Sequence, residues 1–222
     1  MRRKTILATG EIYHIYNRGV EKRPLFLNRR DYLRFLQTAN YYRFADCRLK
    51  FSHLVQLSRE ARTEIISKLE KKSEKLVDVL CFCLMPNHIH FLLKQLQDNG
   101  ISKFMAKITN GYSHYFNIKN KRVGHLFQGN FGAVRIETNE QLIHVFRYIH
   151  LNPVTSYLIK FDDLENYEWS SYAQCIGIKA GFCDAQPVMS NFKNIESYKK
   201  FVADQVDYAK ELENIKHLTL EI

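Results

Sequence analysis

The sequence predicts an α+β fold in which helices pack on one face of a four-stranded antiparallel sheet. Strand-like and helix-like patterns alternate along the chain in the order β-α-β-β-α-β, and a tight turn at Pro86 and Asn87 joins the two central strands. Further helical patterns follow the last strand. Four strands crossed by two helices in this order form the ferredoxin-like arrangement, here extended by C-terminal helices.

The first strand and the first helix are marked by composition and spacing. The segment EIYHIYNRG, residues 11–19, is rich in β-branched and aromatic residues and ends in glycine, which is typical of a strand. Asn28 then indicates a helix N-cap, and apolar residues at helical spacing predict a helix over residues 29–42. The charged segment 43–76 contains one amphipathic pattern, so we interpret it as an insertion that holds one helix.

The middle of the chain predicts a hairpin, a long helix and a fourth strand. The runs LVDVLCFCLM and HIHFLLK flank the Pro86-Asn87 turn and have the length and composition of paired strands. After Gly100, apolar residues recur along one stripe of a long amphipathic helix. The segment GHLFQGNFGAVRI, residues 124–136, is predicted to form the fourth strand region.

The last part of the chain is predicted to be helical. Thr138 followed by Gln141 is a capping-box pattern, and it opens the helix NEQLIHVFRYIHLN. Pro153 is expected to end or kink this helix, because proline has no N–H and clashes with the preceding turn. A short helix is predicted around WSSYAQC, and a final amphipathic helix is predicted from about Ile195. We therefore expect a domain over residues 1–160 and a C-terminal helical extension over residues 161–222.

The charge of the chain is strongly positive and unevenly distributed. Lys and Arg exceed Asp and Glu to give a net charge of +10. No acidic residue lies between Asp98 and Glu137, whereas the chain from Glu137 onward is mildly acidic. Excess positive charge favours a polyanionic partner such as nucleic acid, although basic residues also serve simply to solvate helix surfaces.

Neither the cysteines nor the N-terminus indicate an exported or membrane protein. The five cysteines form no regular framework and no CxxC pair, so they are not typical of a disulfide scaffold or a structural zinc site. The N-terminus MRRKTILATG has no apolar segment long enough for a signal peptide, and no run reaches the length of a membrane span. We therefore expect a reduced, cytoplasmic protein without membrane contact.

Two histidines interrupt the apolar run LMPNHIHFLLK. On a strand, residues i and i+2 point to the same face, so His88 and His90 would project together, which suits the binding of one metal ion. A single histidine on an apolar strand is more often a core residue whose hydrogen bonds are satisfied. The spacing alone leaves both interpretations open.

The helix before Pro153 offers a second pair of polar side chains. Within RYIHLNP, Tyr148 and Asn152 are one turn apart at the edge of the apolar face, where they could reach into a cleft beside the sheet. The alternative is a boundary tyrosine with a solvated hydroxyl and an asparagine that ends the helix. In a chain with 13 tyrosines, spacing alone favours this alternative.

The motifs EIYHIYNRG, LMPNHIHFLLK, GHLFQGNF, YIHLNPV and YEWSSY occur here in the order found in IS200/IS605-type single-tyrosine (Y1) transposases. The chain resembles this superfamily, and especially its REP-associated (RAYT-like) branch, from about Glu11 to Tyr172. MPNHIHFLL and YIHLNP are the most specific parts. The family belongs to the HUH endonucleases, which are named for a His-hydrophobic-His motif, and it has a ferredoxin-like, RRM-like core. The resemblance thus implies a catalytic domain over residues 1–160.

The resemblance also implies a role for each of the four polar residues. His88 and His90 would be metal ligands, with Asn152 as the third ligand. Tyr148 would be the nucleophile. It further implies Mg²⁺ or Mn²⁺ as cofactor, and cleavage and rejoining of single-stranded DNA at hairpin-flanked sites through a 5′-phosphotyrosine intermediate. Compact family members are dimers and the REP-associated branch can act as monomers, so a monomer or a homodimer is expected.

Basic side chains are predicted to contact the DNA backbone. They end the first strand or fall in the stretch without acidic residues: Arg18, Lys103, Lys107, Lys119, Lys121, Arg122 and Arg135. Aromatic residues of the same stretch could stack on unpaired bases where they are not part of the core: Tyr112, Tyr115, Phe127 and Phe131. The chain departs from the family in NPVTSYLI, which lacks a basic residue after the proline, and in its longer insertion over residues 43–76.

Two other functions agree with parts of the pattern. A non-cleaving DNA- or RNA-binding protein of the same fold would use exposed aromatic residues of the sheet, but it has no need for the set His88, His90, Tyr148 and Asn152. Another His-x-His metalloenzyme, an amidohydrolase or a cupin, would need a barrel of about 250 residues or many short strands with Gly-rich turns. Several long helices and only nine glycines argue against both folds.

Overall fold

The computed structural model of the chain describes residues 6–72 and 74–206. Within these residues the strands are β1 (Ile12–Arg18), β2 (Val77–Met85), β3 (His88–Gln95) and β4 (Gly132–Ile136). They form one sheet in the order β2-β3-β1-β4. This order places the first and third strands at the centre, as the ferredoxin-like arrangement requires.

Hydrogen bonds at the two ends of β1 show how its neighbours run. Gly10 N donates to Gln95 O (2.7 Å). Gly19 N donates to Asn87 O (2.8 Å), so β1 and β3 are antiparallel. Gly19 also forms an antiparallel bridge with Phe127, ahead of β4. The sheet and its strand order confirm the predicted α+β, ferredoxin-like fold.

The described helices are α1 (Arg29–Tyr42), α2 (Phe51–Leu54), α3 (Arg59–Lys72), α4 (Gly100–Lys119), α5 (Asn139–Thr155), α6 (Tyr172–Cys175), α7 (Gln186–Met189) and α8 (Ile195–Ala203). Short 3-10 helices cover Val20–Lys22 and Phe161–Asn166. The predicted caps are confirmed: the side chain of Asn28 accepts from Asp31 N at the start of α1. Thr138 caps α5 in the same way.

Two regions differ from the sequence prediction. The insertion over residues 43–76 contains α2 and α3 rather than one helix. β4 is shorter than the predicted region 124–136. Ahead of it, Gly124 and Gly129 adopt positive φ angles of 84° and 63°, which interrupt the extended backbone of a strand. The aromatic composition of the segment predicted a strand because it does not reveal these turns.

The helix that carries Tyr148 is longer than predicted. Pro153 lies inside α5, which continues to Thr155. A proline in the last turn removes one hydrogen bond but leaves the next one intact, since Ser156 N still donates to Asn152 O (3.0 Å). Asn152 is therefore a helical residue rather than the helix end, and it keeps the spacing of one turn from Tyr148.

Contacts within the chain define two compact units. The first contains the described residues up to Asp78, together with Pro86–His88 and Leu93–Arg135. Its crossover helices α1 and α4 share an aromatic core, in which Phe35 and Tyr112 meet edge to face with ring centroids 5.1 Å apart. This packing holds the two helices together and buries the apolar stripe that predicted α4.

The second unit contains the central parts of β2 and β3 and the described chain from Ile136 onward. Here the C-terminal segment covers the outer edge of β2. Leu84 N donates to Trp169 O (2.8 Å), and Asp184 N donates to Val79 O (2.8 Å). An uncovered edge would present backbone groups able to pair with another chain. The predicted domain boundary at residue 160 stays a prediction.

Within the part of the chain that the structure describes, no helix combines the length and the apolar character needed to cross a lipid bilayer.

Candidate functional site

The histidine pair lies at the start of β3. His88 is half-buried and His90 is 7% exposed, and the alternation of the strand places both on the same side. The opposite side of β3, formed by Ile89, Phe91 and Leu93, is fully buried. The strand thus uses one side for the core and presents the two imidazoles on the other.

Asn87, the second residue of the hairpin turn, orients His88. Its Oδ1 lies 2.7 Å from Nδ1 of His88, and because a carbonyl oxygen only accepts, Nδ1–H is the donor. Asn87 is itself held in place, since its Nδ2 donates to Lys22 O (3.2 Å). In a neutral imidazole this leaves the lone pair on Nε2, as a metal ligand requires. The sequence analysis missed Asn87, although it directly precedes His88.

Tyr148 of α5 lies beside His90. The ring centroids are 5.8 Å apart and the ring planes are inclined by 84°, which is an edge-to-face contact. Tyr148 remains 38% exposed. Its ring is therefore anchored by packing while part of it reaches solvent, an arrangement suited to a nucleophile that attacks a polymer.

Asn152 follows Tyr148 by one helical turn and is 5% exposed. Its Nδ2 donates to Tyr148 O (2.9 Å). The amide nitrogen is thereby directed to the helix backbone, and Oδ1 is the atom of this side chain that can bind a cation. The side chain is buried and fixed by the same helix that positions the tyrosine.

These residues fit a divalent cation by the chemistry of their donor atoms. Among the described residues, no three His, Cys, Asp or Glu side chains are grouped as a metal site. The donor atoms that these residues offer are instead imidazole nitrogens and an amide oxygen. The hydrogen bonds of Asn87 and Asn152 engage the atoms that cannot bind a metal and leave Nε2 of His88 and Oδ1 of Asn152 as ligand atoms.

A buried network fixes α5 on the side opposite Tyr148. His150 Nδ1 lies 2.7 Å from Tyr198 Oη, and Nε2 lies 2.9 Å from Ser171 Oγ. Ser171 Oγ donates to Phe82 O (3.2 Å), so it accepts from Nε2–H. Burial lowers the pKa of His150 to about 3, which keeps the ring neutral. The network joins α5 to β2 and α8 and fixes the rotation of the helix.

Most of the basic residues predicted to contact DNA also have partners within the chain. The pairs are Arg18 with Gln128, Lys107 with the ring of Tyr42, Lys119 with Asp31, Arg122 with Asn117, and Arg135 with Glu11. Lys103 and Lys121 lie exposed on the surface. The contacts of all seven residues with DNA stay predictions. A residue such as Lys119, whose carboxylate partner is buried, also has a structural role.

The aromatic residues considered as base-stacking candidates divide into core and surface. Tyr112 is fully buried and its hydroxyl donates to Leu25 O (2.5 Å), and Phe127 is also buried. Stacking on DNA is therefore excluded for these two rings. Tyr115 is half-buried and donates to Asp31 (3.0 Å). The helical stripe along α4 correctly indicated that Tyr112 belongs to the core.

Comparisons with known proteins relate the middle of the chain to one family. Residues 47–152 match the family described as "Transposase IS200 like". Among solved structures, a REP-associated tyrosine transposase bound to a REP hairpin is 16% identical, covers 83% of this chain and 93% of its own, and superposes with a TM-score of 0.49. No curated protein matches the chain. The segment that matches the family contains both histidines, Tyr148 and Asn152.

Proposed function

We propose that the chain, whose residues 47–152 match the IS200-like transposase family, is a metal-dependent transesterase that cleaves and rejoins single-stranded DNA. The observation that carries the proposal is the contact of Tyr148 with His90, at 5.8 Å between ring centroids. A tyrosine beside an imidazole suits phosphoryl transfer, whereas binding alone has no need of it.

The proposed metal ligands are His88, His90 and Asn152. They would hold a divalent cation, Mg²⁺ or Mn²⁺ as the motif resemblance implies, and such a cation would supply a Lewis acid that polarises the scissile phosphate and offsets negative charge in the transition state. Asn87 keeps His88 in the tautomer that can act as a ligand. The hydrogen bond from Asn152 Nδ2 to Tyr148 O supports the proposal that the third ligand and the nucleophile lie next to each other.

Tyr148 is the proposed nucleophile. Its Oη attacks the phosphorus and loses its proton as the P–O bond forms, because a phenol with a pKa of about 10 is protonated at neutral pH. The bond from phosphorus to the 3′-oxygen breaks, and that oxygen takes up a proton to become a 3′-OH. The 5′-phosphate remains on the tyrosine. Rejoining is the reverse attack by a 3′-OH, so the phosphodiester energy is retained and no nucleotide is consumed.

The proposed substrate is single-stranded DNA with a hairpin near the cleavage site. The net charge of +10 and the exposed Lys103 and Lys121 support binding to a polyanion. The hairpin is proposed from the motif resemblance. Because Tyr148 contacts a histidine of its own chain, we favour a monomer in which the tyrosine acts in cis, with a homodimer as the alternative.

Covalent adduct formation tests this proposal. We expect the wild type, incubated with single-stranded hairpin oligonucleotides and Mn²⁺, to form a protein–DNA adduct on a denaturing gel. Tyr148→Phe should abolish the adduct and retain DNA binding, since it keeps the ring but lacks the attacking oxygen. His88→Ala should also abolish the adduct. Tyr157→Phe, at an exposed tyrosine just beyond α5, is the control and should keep the adduct.

One outcome contradicts the proposed function. If the wild type binds hairpin oligonucleotides but forms no adduct across a broad set of sequences and with both Mg²⁺ and Mn²⁺, the chain is a non-cleaving nucleic-acid-binding protein of the same fold. The match of residues 47–152 to the IS200-like transposase family would stand in that case, and the catalytic assignment of Tyr148 would not.

A further inference from the structure

The face of the sheet that carries His88 also carries two residues of β1. The hydrogen bond from Gly19 N to Asn87 O (2.8 Å) sets the antiparallel register, so Arg18 lies directly opposite His88. Residues i and i+2 of a strand share a face, and therefore Tyr16 lies on the same face as Arg18. A guanidinium and an aromatic ring thus accompany the histidine on one surface.

Tyr16 is an exposed aromatic residue on the side of β1 that faces away from the core. It is 44% exposed, whereas Tyr13 and Ile15, on the opposite side of β1, are fully buried. The ring of His14 lies 5.4 Å from that of Tyr16, with the two planes inclined by 42°. The ring of Tyr16 is therefore packed on the side of His14 and open to solvent over part of its surface.

Gly132 of β4 allows the ring to lie against the backbone of the neighbouring strand. A Cβ atom at Gly132 would lie 2.3 Å from Cζ and 2.5 Å from Cε2 of Tyr16, far closer than van der Waals contact. Only glycine therefore permits this position of the ring, as is common where a side chain approaches a strand closely. The ring rests on the backbone of β4, and its exposed part faces solvent.

Arg18 supplies positive charge two residues from the ring. Its side chain is exposed, and its Nε donates to Oε1 of Gln128, which holds the guanidinium in place. A guanidinium has further N–H donors in the same plane, and this geometry suits a phosphate. Together with the net charge of +10, this makes the surface around Tyr16 complementary to a nucleic acid strand.

We propose that Tyr16 is a base-stacking residue: an unpaired nucleobase of the DNA lies on its ring while Arg18 contacts an adjacent phosphate. The inference deepens the proposed function and rests on it for the identity of the ligand. Every base has a π face, but only a single strand leaves it uncovered, so this contact selects unpaired over paired DNA. The stacking contact holds the DNA strand on the face of the sheet that carries His88.

Three variants test the role of the ring in equilibrium binding of labelled single-stranded oligonucleotides. Tyr16→Ala should weaken binding roughly 5- to 150-fold, the range expected for one lost base–aromatic stack. Tyr16→Phe should restore binding, because stacking needs the ring rather than the hydroxyl. Gly132→Ala should weaken binding although Tyr16 is retained, because the added Cβ displaces the ring.

An abasic-site scan identifies the stacked base. In the wild type, removing the base at one position should weaken binding as much as Tyr16→Ala does, and in the Tyr16→Ala protein the same abasic site should have no further effect. Val134→Ala is the matched control, since Val134 is 52% exposed and shares the face of Gly132 but has no ring. Its binding should equal that of the wild type.

Two results would overturn the proposal. In the first, Val134→Ala weakens DNA binding as much as Tyr16→Ala does. In the second, Tyr16→Ala and an abasic site weaken DNA binding independently at every position, so that their effects multiply. Binding is measured without cleavage, so the two proposals fail separately. If no adduct forms but the abasic-site scan gives the expected result, only the proposed nuclease activity is rejected. If the adduct forms but Tyr16→Ala binds DNA normally, only the proposed base stacking is rejected. Circular dichroism checks folding, and if Gly132→Ala does not fold, the Tyr16→Ala and Tyr16→Phe pair decides.

Discussion

At the scale of single residues, two asparagines determine which atoms of the candidate site can bind a cation. Asn87 accepts from Nδ1 of His88, and Asn152 donates its amide nitrogen to Tyr148 O. Both bonds leave a ligand atom with its lone pair and restrict the rotation of the side chain. Asn87 is not itself a proposed ligand, but it fixes the orientation and basicity of His88, so its loss would weaken metal binding.

We expect Asn87→Ala to weaken metal binding about 10- to 100-fold, since His88 loses the acceptor that fixes its tautomer. The Mn²⁺ concentration that gives half-maximal adduct formation should rise, and saturating Mn²⁺ should restore most of the rate. Asn110→Ala, at an exposed position of α4, is the control. An unchanged Mn²⁺ requirement in Asn87→Ala would show that Asn87 does not orient a ligand.

His150 should make the stability of the protein depend on pH. Its pKa is lowered by burial to about 3 in the folded state, against 6.5 in the unfolded chain, so the unfolded state binds a proton more readily below pH 6.5. The free energy of unfolding should therefore fall as the pH decreases from 6.5 towards 3. Between pH 7 and pH 5 the loss from this group is about 2 kcal/mol.

Urea denaturation at pH 7 and pH 5 measures this effect. His150→Gln can still hydrogen-bond to Tyr198 and Ser171 but does not titrate, so its loss of stability over the same interval should be smaller by about 2 kcal/mol. Equal losses in the variant and the wild type would contradict a buried, neutral His150.

At the scale of elements, the crossover helices α1 and α4 are joined by a buried carboxylate as well as by aromatic packing. Asp31 accepts from Leu27 N (3.1 Å), from Tyr115 Oη (3.0 Å) and from Lys119 Nζ (2.5 Å). A buried carboxylate is stable only when its oxygens are satisfied in this way. The structural role of Lys119 thus follows from the position of Asp31 inside the helix pair.

The two glycines of α4 should respond in opposite directions to the same substitution. A Cβ at Gly100 would lie 2.2 Å from the backbone oxygen of Leu76, so Gly100→Ala should destabilise the protein by about 1–3 kcal/mol. At Gly111 a Cβ meets only Tyr42, at 4.0 Å, so Gly111→Ala should stabilise the helix by about 0.5–1 kcal/mol.

Urea denaturation of both variants checks this pair, and each is the control for the other because the helix and the chemical change are the same. Equal effects of both substitutions would contradict the close approach of Leu76 to the start of α4.

At the scale of the whole molecule, the positive charge belongs mainly to the part of the chain before Glu137. This part contains β1, β3, β4 and α4, and with them the proposed ligands on β3 and the stacking residue on β1. Several of its basic side chains form ion pairs within the fold, as Lys119 does with Asp31 and Arg135 with Glu11. Exposed residues such as Lys103 are the better candidates for DNA contact.

Binding to single-stranded DNA should weaken with salt. Each phosphate contact contributes about −0.7 to the slope of log K against log salt concentration. Lys103→Gln and Lys121→Gln should each reduce the magnitude of the slope by about 0.7 if they contact phosphate. Lys179→Gln, an exposed lysine in the acidic C-terminal part, should leave it unchanged. If Lys103→Gln and Lys121→Gln show the same salt slope as Lys179→Gln, neither Lys103 nor Lys121 contacts a phosphate.

The sequence by itself determined the features that depend on local spacing. Strand alternation put His88 and His90 on one face, helical spacing put Tyr148 and Asn152 one turn apart, and Asn28 marked the start of α1. These follow from the regular geometry of strands and helices and need no distant contact. Local rules failed where backbone geometry overrode composition, as at Gly124 and Pro153.

Only the tertiary structure decided which of these elements meet. The contact of Tyr148 with His90 joins residues far apart in sequence, and the hydrogen bond of Asn87 to Lys22 O depends on a loop after β1. No sequence pattern predicted that the ring of Tyr16 lies against Gly132. Spacing along one chain segment fixes only the relative directions of its own side chains, whereas contacts between elements depend on how the core packs them.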